Sequence, residues 1–266
     1  ALRKMPFRAA GHLKNYDTVK NFMSKKYYPV NIDVSGKRCL VVGGGPIGER
    51  KALSLLSCGA RVTVVSKTLT PALESLAREG RIEALRRPFD HGDVEGAFLV
   101  FCATNDCALN RSVFELADKK SLLVNVVDEP VLCNFIVPAV VRKGPLLASV
   151  STSAAAPAMA KKLKRVLELA FEDGYAPLLE FLSEKRKQIK ASVEDIAARK
   201  KIFDALIGSE LSDLFLKFNA ADISSADFDF DEYKKNNPGV IEKAEKIFEE
   251  VFSRTAETAR GAADIK

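Results

Sequence analysis

The residues best suited to chemistry begin at a glycine cluster. Gly43, Gly44, Gly45, Pro46, Ile47 and Gly48 spell G-x-G-x-x-G directly after the apolar run at 38–42. In such a turn Gly43 permits the tight bend, Gly45 lets backbone approach a pyrophosphate, and Gly48 lets the following helix pack closely on the strand. A helix start also presents free N–H groups and the positive end of its dipole to phosphates. The expected ligand is a nicotinamide dinucleotide. At the end of the second β-prone run an Asp or Glu would ordinarily hold the ribose hydroxyls, but here Ser66 and Lys67 follow Val65. Ser66 can still bond the ribose, while discriminating less against a 2′-phosphate; NAD is preferred to NADP. Thr104 and Asn105, after the fourth strand, complete the expected cofactor set.

Ligands of an open α/β sheet bind beyond the carboxyl ends of its strands. The run Asn125-Val126-Val127-Asp128-Glu129-Pro130 ends the fifth strand, which puts Asp128 where a substrate would meet the nicotinamide. A carboxylate there can act as general base or hold a cationic intermediate; the plainer alternative is that Asp128-Glu129-Pro130 is only a turn. Ser151-Thr152-Ser153 precedes Pro157 and a helix carrying Lys161, Lys162, Lys164 and Arg165. Hydroxyls and free N–H groups at a helix start favour anions, and Arg142 adds charge. Ordinary capping and a solvated basic face would explain the same residues. A polycarboxylate substrate would use them all, with Asn125, Asn134, Arg142, Ser151, Ser153 and Lys161 as its expected contacts.

These positions need a scaffold, and the hydrophobic pattern supplies one. Runs at 38–42, 61–65, 82–85, 97–102 and 122–127 read as strands. The stretches at 47–57, 70–79 and 108–119 read as helices, the first on Ile47, Leu53, Leu55 and Leu56 and the second with Thr70 as N-cap and Pro71 at its first position. Near-continuous apolar strands alternating with helices imply a parallel sheet covered on both faces. The pattern then changes to two β-prone runs, 135–142 and 146–151, around Lys143-Gly144-Pro145. These can pair as a hairpin or extend toward a partner chain. Helices are expected near 158–171, 177–190, 193–206, 209–218 and 239–253, with no clear core period over 220–231 and fraying at the end. The fold class is thus α/β, a Rossmann-type parallel sheet followed by a β-containing dimerisation segment and a helical C-terminal domain. The expected divisions are an extension at 1–27, a nucleotide domain at 28–137, a dimerisation segment at 138–170, a helical domain at 171–220 and a C-terminal extension at 221–266.

Bulk properties narrow the function. The 266 residues carry a net charge of +6, which suits an acidic small molecule, and no Lys/Arg run interleaved with aromatics marks a nucleic-acid face. No apolar run is long enough to span a bilayer. The basic stretch at 1–26 lacks the apolar core of a secretory signal and reads as a loose extension or one short surface helix. Five cysteines without a C-x-x-C pair fit a reducing cytoplasm. With only His12 and His91, no dedicated protein metal site is expected.

Taken together, the chain resembles the siroheme-synthase family, precorrin-2 dehydrogenase/sirohydrochlorin ferrochelatase. The resemblance is carried by Tyr28-Pro29-Val30, Val41-Val42-Gly43-Gly44-Gly45, Glu49-Arg50-Lys51-Ala52, Pro88-Phe89, Ala103-Thr104-Asn105-Asp106, Asn125-Val126-Val127-Asp128, 132–139, Gly144-Pro145-Leu146 and Ser151-Thr152. They occur in the family's order from about residue 28 to 218. The resemblance implies NAD-dependent oxidation of precorrin-2 to sirohydrochlorin, an interlocked homodimer and, in many members, insertion of ferrous iron to give siroheme. It places the family's key aspartate on Asp128 and its active-site hydroxyl on Thr152. Where members often have Gly-Gly after that hydroxyl pair, this chain has Ser153-Ala154-Ala155-Ala156. The sequence ends soon after the helical region, so the methyltransferase fused to some members is not expected.

The chemistry is consistent with these residues. Loss of hydride leaves a cationic macrocycle that a carboxylate can stabilise and deprotonate, and metal insertion requires pyrrole protons to leave. Iron would be held by the macrocycle as substrate. Two other readings remain at this stage: a dehydrogenase that leaves chelation to a separate enzyme, and a non-catalytic NAD-sensing module. The second usually keeps the acid after the second strand and has no use for Asn125–Asp128 together with 132–139.

Overall fold

A computed structural model describes residues 26–216 and 228–263, with side chains to 256. The chain divides into two compact units, one of residues up to 137 together with 152–157, the other of 138–151 and 158 onward. The expected extension at 1–27 lies almost wholly outside the described residues.

The first unit is a five-stranded parallel sheet in the order β3-β2-β1-β4-β5. Its strands are β1 (Arg38–Val42), β2 (Arg61–Val65), β3 (Ile82–Leu85), β4 (Leu99–Cys102) and β5 (Leu123–Val126). Helices α1 (Pro46–Leu56), α2 (Pro71–Arg78) and α3 (Cys107–Lys119) connect them. Alternate residues of each strand feed two separate cores. Cys39, Val41, Val62, Val64 and Phe101 pack with Ala52, Leu55, Leu73 and Leu76 on one face. Leu40, Val42, Val65, Val100, Cys102, Val124 and Val126 pack with Val113 and Ala117 on the other. Burial on both faces is why these strands read as continuous apolar runs.

Two local expectations change. Helix α1 buries Gly48, Ala52 and Leu55, whereas Ile47 and Leu53 are exposed; small side chains line the face nearest the sheet because they let helix and strand approach closely. Strand β4 begins at Leu99, two residues late, because Ala97 closes a turn by donating to the Val94 carbonyl (2.9 Å in the preceding turn at Asp93, 3.1 Å here).

The second unit opens with an antiparallel hairpin, β6 (Ala139–Lys143) and β7 (Leu146–Val150), paired Lys143↔Leu146 across Gly144-Pro145. Of the two arrangements open from sequence, the strands adopt the hairpin. Helices α4 (Pro157–Ala170), α5 (Tyr175–Ser192), α6 (Ile196–Ile207), α7 (Leu211–Leu216), α8 (Phe230–Asn236) and α9 (Pro238–Ala263) follow. Phe181, Ile189, Ile202, Leu206, Leu211, Phe215, Tyr233, Val240, Ala244 and Phe248 form one core. Residues 228–252 therefore share the core of the helices before them, where a separate extension was expected at 221–266; residues 217–227 lie outside the described set. Helix α8 went unread because only Phe230 and Tyr233 of its seven residues are buried, too few to show a period. Its N-cap, Asp229, accepts from the N–H groups of Asp231 and Glu232.

Candidate active site

The turn after β1 shows a division of labour among its glycines. Gly43 has φ +114°, a conformation few other residues adopt, and a Cβ there would overlap the Ala103 carbonyl. Gly44 lies against Ser66 and Leu69, with its carbonyl accepting from Thr70 N–H at 3.0 Å. A Cβ on Gly48 would overlap the carbonyl oxygen of Gly43, so the third glycine of the motif lets helix α1 close on the turn itself. Gly45 differs: nothing lies within 4 Å of where its Cβ would be. It is the exposed N-cap of α1, it provides no side-chain cap, and Pro46 follows at the first helical position. The Ile47 and Gly48 N–H groups consequently have no intrahelical acceptor. Three glycines serve the protein's own packing, and the fourth leaves open space at an uncapped helix start, which is the geometry that accepts a pyrophosphate.

Ser66 is half-buried beside Gly44, and Lys67 is exposed. The Thr104 hydroxyl donates to Asn110 Oδ1 at 2.6 Å, and Asn110 Nδ2 returns a bond to the Thr104 carbonyl at 3.0 Å. Its side chain therefore braces the turn, leaving backbone to face a ligand, and Asn105 next to it is exposed.

The end of β5 is tied down before it turns. Val127 N–H donates to the Cys102 carbonyl at 2.9 Å. Asn125 Nδ2 donates to the Phe135 carbonyl, and Asn134 accepts from Val124 N–H while donating to the Leu122 carbonyl. Both amides were expected to meet substrate. They are instead committed to backbone, because the segment at 133–135 runs alongside β5 without a full ladder and its polar groups must be satisfied. Cys133 Sγ reinforces the join through the Val126 N–H and carbonyl. Asp128 then stands exposed with φ +61°. Left-handed backbone at a non-glycine residue costs energy and concentrates at functional sites.

Thr152 is half-buried in the first unit, where its Oγ1 accepts from Ala156 N–H at 3.2 Å. Ser153 and Ala154 follow with φ +51° and +63°. Arg142, Ser151 and Lys161 are exposed and belong to the second unit. Among the described residues no group of three or more His, Cys, Asp or Glu is placed to hold a metal ion, and no helix is long and apolar enough to cross a membrane.

Two residues of the first unit escaped the sequence reading. Lys51 leaves the second turn of α1 and lays its Nζ 4.7 Å from the centre of the Phe101 ring. Burial, then repulsion from Arg50, pulls its pKa below the ordinary lysine range, while Cys133 and Asp128 oppose that shift. Tyr27 buries its hydroxyl without a hydrogen-bond partner among the described residues. Burial, then Cys133, pushes its phenol up. A lysine in a helix ordinarily reads as a solvated face; only the fold shows that this one lies over the Phe101 ring.

Residues 30–139 match a family model described as "Putative NAD(P)-binding". The siroheme synthase of Thioalkalivibrio sulfidiphilus is 37% identical over 190 residues, which is 71% of this chain and 39% of that protein. Siroheme synthase 1 of Serratia proteamaculans is 36% identical over 188 residues, again 71% of this chain and 40% of the relative. The chain thus spans about two fifths of the length of these relatives. Among solved structures, SirC, a precorrin-2 dehydrogenase, aligns with a TM-score of 0.62 and 27% identity, covering 72% of this chain and 98% of its own.

Proposed function

Because this chain is a homologue of the siroheme synthases with the fold of a precorrin-2 dehydrogenase, we propose that it oxidises precorrin-2 to sirohydrochlorin with NAD as hydride acceptor. The observation that carries the proposal is the pairing of an open, uncapped glycine turn with a strained carboxylate, Asp128, two residues beyond the end of β5 in the same sheet.

The cofactor's pyrophosphate would lie on the Ile47 and Gly48 N–H groups with the Gly45 backbone beneath it, and Ser66 would take a ribose hydroxyl. Bound NAD supplies the two-electron acceptor. Asp128 stabilises positive charge on the macrocycle as hydride departs and takes the proton that must then leave. Thr152 contributes a hydroxyl to the substrate. Ser153 supplies a contact for one of its acid side chains, the acetates and propionates that ring it. Ferrous iron is a further substrate in this reading: sirohydrochlorin would hold the metal, and Asp128 would remove pyrrole protons as it enters. We place the protein in the cytoplasm.

The protein would act as a homodimer. Helix α4 buries only Ala160 of its fourteen residues. Met159, Leu163 and Val166, spaced to share one face, are 49%, 42% and 54% exposed. A helix gains most of its stability from packing an apolar face, so this one requires a second copy to cover it.

Incubating the purified protein with precorrin-2 and NAD tests the reading: the sirohydrochlorin spectrum and NADH should appear together. Absence of both with folded protein would refute it. Adding ferrous or cobaltous ion to sirohydrochlorin separates the bifunctional enzyme, which inserts the metal faster than the protein-free control, from a dehydrogenase alone, which does not.

A further inference from the structure

A closed circuit of contacts joins the glycine turn to the ends of β2 and β3. The Gly44 carbonyl accepts from Thr70 N–H at 3.0 Å, and the Thr70 carbonyl accepts from Glu74 N–H at 3.0 Å in the first turn of α2. Glu74 takes the Arg86 guanidinium in two bonds, from Nε to Oε1 at 3.2 Å and from Nη2 to Oε2 at 2.5 Å. Arg86 directly follows β3, whose last carbonyl, on Leu85, accepts from Ser66 N–H at 3.1 Å. Ser66 closes the circuit on Gly44, where an added Cβ would stand 3.0 Å from the Ser66 Cβ. Arg86 and Glu74 therefore border the same strand ends as Ser66, the residue that would take a ribose hydroxyl, and Lys67 is exposed next to it.

No acid follows Val65 to repel a 2′-phosphate. Two arginines leave the end of β3, and they differ. Arg87 grips both carboxylate oxygens of Asp93, which is only 5% exposed and also accepts from Asp90 N–H. Releasing Arg87 would leave a buried carboxylate unpaired, which is costly. The Arg86–Glu74 pair is open to solvent, its side chains 50% and 38% exposed. Such a pair contributes little to stability, and a guanidinium grips phosphate with the same two-pronged geometry that it uses for carboxylate. We infer that Arg86 and Lys67 form a 2′-phosphate subsite, so that the protein takes NADP as an alternative dinucleotide, with Glu74 as the internal anion that the phosphate displaces. The inference rests on the dinucleotide of the reading above, not on its tetrapyrrole. NAD remains favoured because it leaves the Arg86–Glu74 pair intact, whereas NADP exchanges one anionic partner of Arg86 for another. Selectivity then comes from a carboxylate that occupies the arginine, in place of one that binds the ribose directly.

The test measures NAD and NADP affinities by calorimetry for wild type, Glu74→Gln, Arg86→Met and Lys67→Met. All three side chains lie at the surface, so each variant should fold, which thermal unfolding checks. The wild type should bind NADP within about thirtyfold of NAD. Glu74→Gln removes the competing charge and should raise the ratio of NADP to NAD affinity by about threefold to tenfold. Arg86→Met should lower that ratio by about tenfold to a hundredfold, the scale of a charged hydrogen-bonding group lost. Lys67→Met should lower it by about threefold to tenfold. The ratio separates recognition from structure: an ion pair that only braces α2 would, when broken, weaken both dinucleotides alike and leave the ratio where it was. NADP weaker than NAD by about a thousandfold or more in the wild type overturns the subsite. So does an unchanged ratio in Arg86→Met, or a ratio that falls in Glu74→Gln; an unchanged ratio in Lys67→Met removes that residue's share. Folded wild type that binds neither dinucleotide removes the glycine-turn reading and this subsite with it. NAD binding with NADP excluded removes the subsite alone, and binding of both without turnover of precorrin-2 removes the tetrapyrrole and upholds the subsite.

Discussion

The turn at Gly43–Gly48 has glycine wherever backbone crowds backbone, whereas the turns at Asp128 and at Ser153–Ala154 hold left-handed backbone with side chains attached. The first is a fixed cradle whose demands are steric, and glycine meets them without strain. At the others each residue carries a cost of roughly 1–2 kcal/mol, eased at Asp128 because Asp tolerates this region better than most. Cofactor recognition can rely on backbone amides, which every residue but proline possesses. In the proposed reading substrate chemistry needs a particular side chain at a particular point, which the left-handed backbone at Asp128 would deliver.

The largest expected effect that sharpens this contrast is on the cofactor side. Gly45→Asp points a carboxylate into the open space at the start of α1. Calorimetry should show NAD binding weakened by about 3–5 kcal/mol, the scale of an uncompensated charge, with the melting temperature held. A folded variant that binds NAD normally would remove the pyrophosphate from this turn. Gly48→Ala probes the same turn for packing. Its Cβ meets the Gly43 carbonyl, so urea unfolding should show about 1–3 kcal/mol lost; unaltered stability would mean that α1 does not depend on this close approach.

The smallest effect lies on the strained side. Ala154→Gly relieves left-handed strain of roughly 1–2 kcal/mol and gives back roughly 0.5–1 kcal/mol through the freer unfolded chain. Stability in urea should rise by about 0.5 kcal/mol. A clear fall would show that the Ala154 methyl packs usefully and that the comparison with glycine fails there.

The same contrast governs what could be read from sequence. The five strands, their parallel direction and α1 to α3 follow from apolar runs, caps and the glycine motif, because in this unit local pattern and tertiary packing agree; the strand order comes from the fold. The glycine turn was legible down to the residue, apart from the packing role of Gly44. The substrate end was less so. Nothing in the letters Asp, Ser and Ala announces positive φ at 128, 153 and 154. Asn125 and Asn134 looked like substrate ligands because polar residues at strand ends often are; their commitment to backbone depends on 133–135 returning beside β5. Lys51 reads as one more charged residue of a helix; its place over the Phe101 ring depends on the fold. In the helical unit α8 was hidden for want of buried residues, not for want of a cap.

In the proposed mechanism Asp128 manages protons beside a cofactor held by other residues. Asp128→Asn preserves shape and removes the charge and the base. With NAD affinity measured by calorimetry and turnover followed as NADH formed during precorrin-2 oxidation, affinity should be nearly unchanged and the rate lower by about a hundredfold or more. A near wild-type rate in that variant would contradict it and leave Asp128-Glu129-Pro130 as a turn.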